Sequence, residues 1–251
     1  MDNFNEKEKS NLVIGRNAVA EAIRAGREID TLMVAVGERG GSVGKMIAQC
    51  REKGVVIKEV DRRKLDKICC GENHQGVAAF IAAYEYSTIE DIFNLAKSKD
   101  EEPFIIVCDE IEDPHNLGAI IRTAEAAGAH GVIIPKRRSA SLSFAVSKTS
   151  AGALEYVPVA RVSNLPSAID ELKKRGVWFY GADMDGEPWN KVSFGKSATA
   201  LVIGSEGAGI GRLVKSKCDV IVSLPMRGKI NSLNASVAAG ILMYEVARQR
   251  L

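Results

Sequence analysis

The hydrophobic pattern changes period repeatedly along the chain. Short continuous apolar runs at 31–36 (Thr-Leu-Met-Val-Ala-Val), 55–60 and 76–83 predict strands. Between them, apolar residues three and four apart predict helices at 18–25, 42–53 and 62–68. Asn17 is the expected N-cap of the first, and Gly26 and Gly54 the stops of the first two. These elements make a complete small α/β unit over residues 1–84. A helically spaced stretch at 88–97 follows, then the charged run Ser98-Lys-Asp-Glu-Glu-Pro103, and 85–102 is read as a linker. Beyond it, strands are expected at 104–109, 131–135, 154–162, 177–182, 199–203 and 219–224, and helices at 117–127, 143–149, 165–175 and 233–250. The runs Ile105-Ile-Val-Cys108 and Leu201-Val-Ile203 are apolar on both faces, as suits a parallel sheet covered on both sides. In the last helix Leu233, Val237, Ile241 and Tyr244 share one stripe, with Ala238 and Leu242 beside it. That spacing predicts a helix lying mostly in the core.

Composition narrows the class. The 251 residues are 46% hydrophobic and 26% charged, which excludes a disordered chain, a collagen and a coiled coil. A net charge of +2 imposes no strong field. A nucleic-acid partner is neither demanded nor excluded, since a local patch suffices. Residues 1–9 lack the apolar core of a signal peptide, and no apolar run is long enough to span a membrane. The five cysteines form no C-x-x-C pair. Their number is odd and the one close pair, Cys69-Cys70, is vicinal, which points to reduced thiols in a cytoplasmic protein. His74, His115 and His130 do not cluster with them, so no metal site is expected.

Three constellations carry candidate chemistry, all in the second segment. In the first, Asp109-Glu-Ile-Glu-Asp-Pro-His-Asn116 follows a strand and opens a helix that contains Arg122. Asn116 reads as an N-cap at a helix mouth that favours anions. Arg122 is the one charge in Leu117-Gly-Ala-Ile-Ile-Arg-Thr-Ala124, where a buried guanidinium would need partners. In the second, Gly204-Ser-Glu206-Gly-Ala-Gly-Ile-Gly211 fits neither a dinucleotide fingerprint nor a Walker loop, and its glycines point to close backbone approach to a ligand. The third runs Leu224-Pro-Met226-Arg-Gly-Lys-Ile-Asn-Ser232-Leu233-Asn234-Ala235, a strand leading through a loop into the last helix. Basic clusters stand at 62–64, 136–138, 173–175 and 227–229. The second and fourth adjoin the constellations and are the favoured phosphate contacts, whereas the third ends a helix, where basic residues suit the dipole.

Taken together, in this order and spacing, the three resemble the motifs of the SpoU (TrmH-type) 2′-O-ribose RNA methyltransferases of the SPOUT class. The motif residues are Asn116 with Arg122, Gly204-Ser-Glu206-Gly, and Ser232-Leu-Asn234. The first segment, with Ile14-Gly-Arg-Asn-Ala-Val19 and His74-Gln-Gly-Val77, is similar to that family's small RNA-recognition domain of ribosomal-protein L30e type. The likeness is greatest to the members that methylate a guanosine of bacterial large-subunit ribosomal RNA, with a transfer-RNA target as the alternative.

The resemblance implies an α/β fold with an L30e-like domain over 1–84 and a trefoil-knotted, largely parallel methyltransferase domain over 103–251. It implies S-adenosylmethionine as cofactor, RNA as partner and a homodimer through the catalytic domain. It assigns catalysis to Arg122, Asn116, Glu206, Ser232 and Asn234, and cofactor binding to Gly204, Leu224, Met226, Leu233 and Ala235, with Leu224 and Leu233 flanking the adenine. Arg122 then has two possible roles, because arginine is ordinarily a cation. It is a base in a desolvated pocket, or a cation that stabilises the developing alkoxide while an RNA phosphate takes the proton. Asn116 would orient Arg122 or the ribose-phosphate. A nicotinamide-dependent oxidoreductase fails on glycine spacing. A non-catalytic RNA-binding protein would leave the intact motif residues without a purpose.

Overall fold

The structure is a computed structural model and describes residues 11–251. The chain divides into two compact units. One ends at Glu85 and also takes in Ser141–Ala145; the other comprises Tyr86–Ala140 and Val146–Leu251.

The first unit runs β1 (Leu12–Ile14), α1 (Arg16–Arg24), β2 (Ile29–Ala35), α2 (Gly41–Glu52), β3 (Val56–Val60), α3 (Arg62–Ile68) and β4 (Val77–Ile81). Its sheet has the order β1-β4-β2-β3, with β3 parallel to β2 and β4 antiparallel to β1 and β2. Alternate residues of β2 serve opposite faces, as the period of a strand requires. Leu32 and Val34 pack with Val19, Val43 and Met46, whereas Met33 and Ala35 pack with Leu65 and Ile68. The short strand β1 escaped the apolar pattern because it has only three residues. Asn17 does not cap α1. Gly15 occupies that position at φ 89°, and the chain is held there by Gly15 N–H to Val77 O and Arg16 N–H to Gln75 Oε1.

The second unit runs α4 (Ile89–Ser98), β5 (Phe104–Cys108), α5 (Pro114–Ala126), β6 (Gly131–Pro135), α6 (Phe144–Ser150), β7 (Val159–Val162) and α7 (Leu165–Lys174), then β8 (Trp178–Pro188), β9 (Thr199–Ile203), α8 (Arg212–Lys215), β10 (Val220–Ser223) and α9 (Ala235–Arg250). Its six strands have the order β10-β8-β9-β5-β6-β7, and every pairing is parallel. The doubly apolar strands β5 and β9 lie side by side in the middle and are buried throughout.

Several expectations are corrected here. Residues 85–102 are not a plain linker: they contain α4, closed by a Thr88–Asp91 capping box. Ile92 of α4 is fully buried in a core with Ile105, Ile133 and Leu172, over Gly131, where a Cβ would lie 2.4 Å from Ile92 Cγ1. An apolar stripe on a helix must be covered, and the sheet covers this one. The expected strand at 154–162 is a 3-10 turn, Ala153–Glu155, followed by β7. Strand β8 runs on to Pro188 instead of stopping at 182, and α8, only four residues long, was not foreseen. The largest correction concerns α9. It buries Ala235, Ala239, Leu242, Met243 and Val246, while Val237, Ile241 and Tyr244 are 50%, 38% and 55% exposed. The helix is apolar on more than one side, so periodicity alone selected the wrong stripe.

Candidate active site

In a parallel sheet, loops from the carboxyl ends of the strands gather at one edge. Here β5 leads into Asp109, β9 into residues 204–211 and β10 into residues 224–234. The 204–211 loop folds back on itself. Ser205 and Gly209 exchange backbone hydrogen bonds of 3.0 and 2.9 Å, and Gly207 and Gly209 take φ of 83° and 66°. Gly204 lies beneath this turn, where a Cβ would stand 2.1 Å from the Gly209 carbonyl carbon. The loop's own backbone therefore makes the close approach at Gly204. The far end is tied by Gly211 N–H to Asp109 Oδ2 at 2.7 Å. Burial pushes the Asp109 carboxyl above its ordinary range, and the Gly211 N–H opposes that shift.

Glu206, on the exposed side of the loop, draws the other motifs together. Its Oε1 accepts from Asn116 Nδ2 at 3.1 Å, from Asn234 Nδ2, and at 3.4 Å from the backbone N–H of Ala235. Asn234 Nδ2 donates its second hydrogen to Asn116 Oδ1 at 2.8 Å. Asn234 Oδ1 caps α9, accepting from Ser236 N–H at 3.0 Å and Val237 N–H at 3.3 Å. One side chain from each motif thus closes a triangle.

Asn116 does not cap α5. Asp113 does, accepting from His115 N–H at 3.0 Å, with Pro114 in the first turn, where its missing N–H costs nothing. Asn116 therefore sits inside the first turn, buried, with its amide committed to Glu206 and Asn234 rather than to Arg122. Arg122 is exposed, not buried, and stands outside the triangle. Ser232 is also outside it and exposed, and among the described residues its hydroxyl makes one long contact, of 3.5 Å to Asn231 Oδ1.

Beside the triangle opens a cavity of about 620 Å³. Gly204, Leu224, Met226, Leu233 and Ala235 all line it, as do Glu206 and Ser232; Asn116, Asn234 and Arg122 do not. Sequence reasoning missed a second set of lining residues, Asp183 and Asp185 on β8 and Arg212 and Lys215 on α8. Their only signal was the paired acid in Asp183-Met-Asp185, which carries no recognisable spacing. Of the basic clusters, the third is structural: Lys173 pairs with Asp219, and Arg175 pairs with Glu90 and lies over the Phe93 ring. Arg227 and Lys229 are exposed on the 224–234 loop.

Compared with known families, residues 103–244 match the SpoU rRNA Methylase family and residues 12–87 match the RNA 2′-O ribose methyltransferase substrate-binding domain. The fold and the two matches define an RNA methyltransferase built from a substrate-binding unit and a catalytic unit. The chain belongs to the SpoU rRNA Methylase family. A Bacillus subtilis protein, YacO, assigned to the TrmH family of tRNA/rRNA methyltransferases, is 50% identical over 238 residues, covering 95% of each chain. Among solved structures, the SpoU methyltransferase AviRb from Streptomyces viridochromogenes in complex with AdoMet aligns at TM-score 0.60 and 26% identity, covering 99% of this chain and 94% of that one. An AdoMet-bound rRNA methyltransferase from Sinorhizobium meliloti aligns at TM-score 0.59 and 25% identity, covering 98% and 90%. Among the described residues no helix is long and apolar enough to cross a membrane.

Proposed function

We propose that this protein methylates a ribose 2′-oxygen of RNA using S-adenosylmethionine, and that its target is a guanosine of large-subunit ribosomal RNA. The observation that carries the methyltransferase reading is the Asn116–Glu206–Asn234 triangle, which fixes the glycine loop and the start of α9 beside one cavity, while the target rests on the likeness of the sequence to the large-subunit ribosomal RNA guanosine methyltransferases.

The cavity suits the cofactor. Its volume lies in the ordinary range for small-molecule sites. Leu224 and Leu233 offer apolar walls for an adenine, Gly204, Met226 and Ala235 complete that lining, and charged groups stand on β8 and α8. When bound, the cofactor supplies a methyl group already activated on a sulfonium. The protein's part is to align the ribose oxygen and to deal with its proton. Glu206, Asn116 and Asn234 keep the loop and helix in register. Ser232, exposed beside the N-terminus of α9, contacts the ribose-phosphate. Arg122 is the residue at the reacting oxygen. Its exposure on α5 favours the role of a cation that stabilises the developing alkoxide, with an RNA phosphate as proton acceptor.

Val237, Ile241 and Tyr244 make an exposed apolar stripe on α9, and Gly240, between them, lies against Thr123, the neighbour of Arg122. A second copy covering this stripe makes the homodimer and sets Arg122 at its edge. The trefoil knot belongs to the same reading, formed from the 204–211 and 224–234 segments that rim the cavity. Residues 12–87 capture the RNA.

Ribose-methylation mapping of ribosomal and transfer RNA from cells with and without the protein tests the target. Loss of one 2′-O-methylguanosine in large-subunit ribosomal RNA is expected. Loss confined to transfer RNA would move the target, and no loss in either would overturn the reading.

A further inference from the structure

Strand β8 breaks its pairing beside the cavity. Gly181 faces Ile221 of β10, but the next β10 residue, Val222, faces Glu187. On its other edge, pairing with β9 ends at Gly181. Residues 182–186 thus bow out of the sheet as an extended bulge, a feature common beside active sites. The bulge is firmly seated. Ser223 Oγ donates to Gly186 O at 2.8 Å, and Gly186 packs so closely that a Cβ would lie 2.6 Å from Ile221 O and Val222 N.

The bow carries Asp183 and Asp185 to the cavity wall, where α8 brings Arg212 and Lys215. Lys215 Nζ lies 3.0 Å from Asp183 Oδ2 and 3.7 Å from Asp185 Oδ2, and the Asp183 carboxylate holds the ammonium above its ordinary range. The Asp183 side chain is 14% exposed, and among the described residues its Oδ1 takes a long contact of 3.4 Å from Asp185 N–H. One wall of the cavity therefore presents two anions and two cations, while Leu224, Leu233 and Leu242 make an apolar wall elsewhere. A base needs the apolar wall. A ribose diol needs acceptors but no cation. A zwitterionic amino-acid end calls for charges of both signs, and this wall presents both.

We propose that the 182–186 bulge and α8 form the subsite for the methionine end of the cofactor, with Asp183 and Asp185 receiving its α-ammonium and Arg212 and Lys215 its α-carboxylate. This rests on the reading of the cavity as the S-adenosylmethionine site.

Calorimetry with two probes separates the claims. S-adenosylhomocysteine carries nucleoside and amino-acid ends, whereas 5′-methylthioadenosine carries the nucleoside alone. Wild type is expected to bind the first about tenfold or more tightly than the second. Asp183→Asn should lose about tenfold for S-adenosylhomocysteine and less than about twofold for methylthioadenosine. Arg212→Gln, at an exposed position that tolerates substitution, should show the same selective loss of several-fold. Equal losses for both probes, or none for either, would overturn the subsite while leaving the cofactor cavity in place. Wild type that binds neither probe would instead bring down the proposed function.

Discussion

Asn234 Nδ2 donates to Asn116 Oδ1 at 2.8 Å, joining residues 118 positions apart, and both amides then converge on the same oxygen of Glu206. Neither asparagine is free to act alone. Alanine at either position should destabilise the second unit, and the pair should be strongly non-additive. A coupling of about 0.5–3 kcal/mol is expected from a double-mutant cycle in urea. Asn234→Ala should cost about 1 kcal/mol more than Asn116→Ala, because it also removes the cap of α9. Strict additivity would show that the triangle is not a unit.

Arg122 is exposed and outside that triangle, so its removal separates chemistry from folding. Arg122→Ala should leave stability within about 0.5 kcal/mol of wild type. Its kcat should fall by roughly 10²- to 10⁴-fold, with cofactor affinity nearly unchanged. Arg122→Lys retaining most activity supports a simple cation; lysine as inactive as alanine points to the guanidinium geometry. Wild-type turnover in Arg122→Ala would remove this residue from the mechanism.

At Gly204 a side chain meets the Gly209 backbone at 2.1 Å, not merely a ligand. Gly204→Val should therefore lower the melting temperature as well as weaken the cofactor by more than about tenfold, about 1.4 kcal/mol. Gly207 has open space around its Cβ position and only its φ of 83° to lose. Gly207→Ala should cost about 1 kcal/mol and spare most binding. Similar melting curves for the two variants would contradict this loop geometry.

The Val237–Ile241–Tyr244 stripe predicts that Tyr244→Asp shifts the protein to a monomer in sedimentation velocity. Tyr244 is 55% exposed, so the monomer should remain folded by circular dichroism. A dimer of wild-type stability in this variant would exclude the stripe as the interface.

His130 is fully buried, with Nδ1 accepting from Phe104 N–H at 2.9 Å and Nε2 facing Glu101 at 3.1 Å. Burial holds the imidazole below its ordinary 6.5, although Glu101 pulls the other way. The unfolded chain thus takes up a proton at a higher pH than the fold does. The stability that His130 contributes is complete above about pH 6.5 and is lost as pH falls below it. Between about pH 7 and pH 5, wild type should lose more melting temperature than His130→Gln. Parallel losses would mean that His130 is not the acid-sensitive group.

The sheet was legible because its central strands are short runs apolar on both faces, as suits a covered parallel sheet. The motif residues were legible by resemblance, but their geometry was not. Asn116 looked like a cap because asparagine caps well, yet Asp113-Pro114 starts the helix earlier and frees Asn116 to bind sideways. Arg122 looked buried because its neighbours are apolar, and a helix shows one side chain to water as readily as the next to the core. The bulge at 182–186 is a property of how β8 and β10 register, which no single strand's sequence displays. The four residues of α8 are too few to establish a period.

Helix α9 supplies Ala238 and Leu242 to the cavity, and Asn234 at its mouth locks Glu206 in place. These groups lie far along the chain from residues 12–87 and are synthesised after them. Substrate-binding residues 12–87 are complete long before them. A chain cut before Asn234 keeps residues 12–87 but cannot complete the cavity, which closes only once α9 is in place.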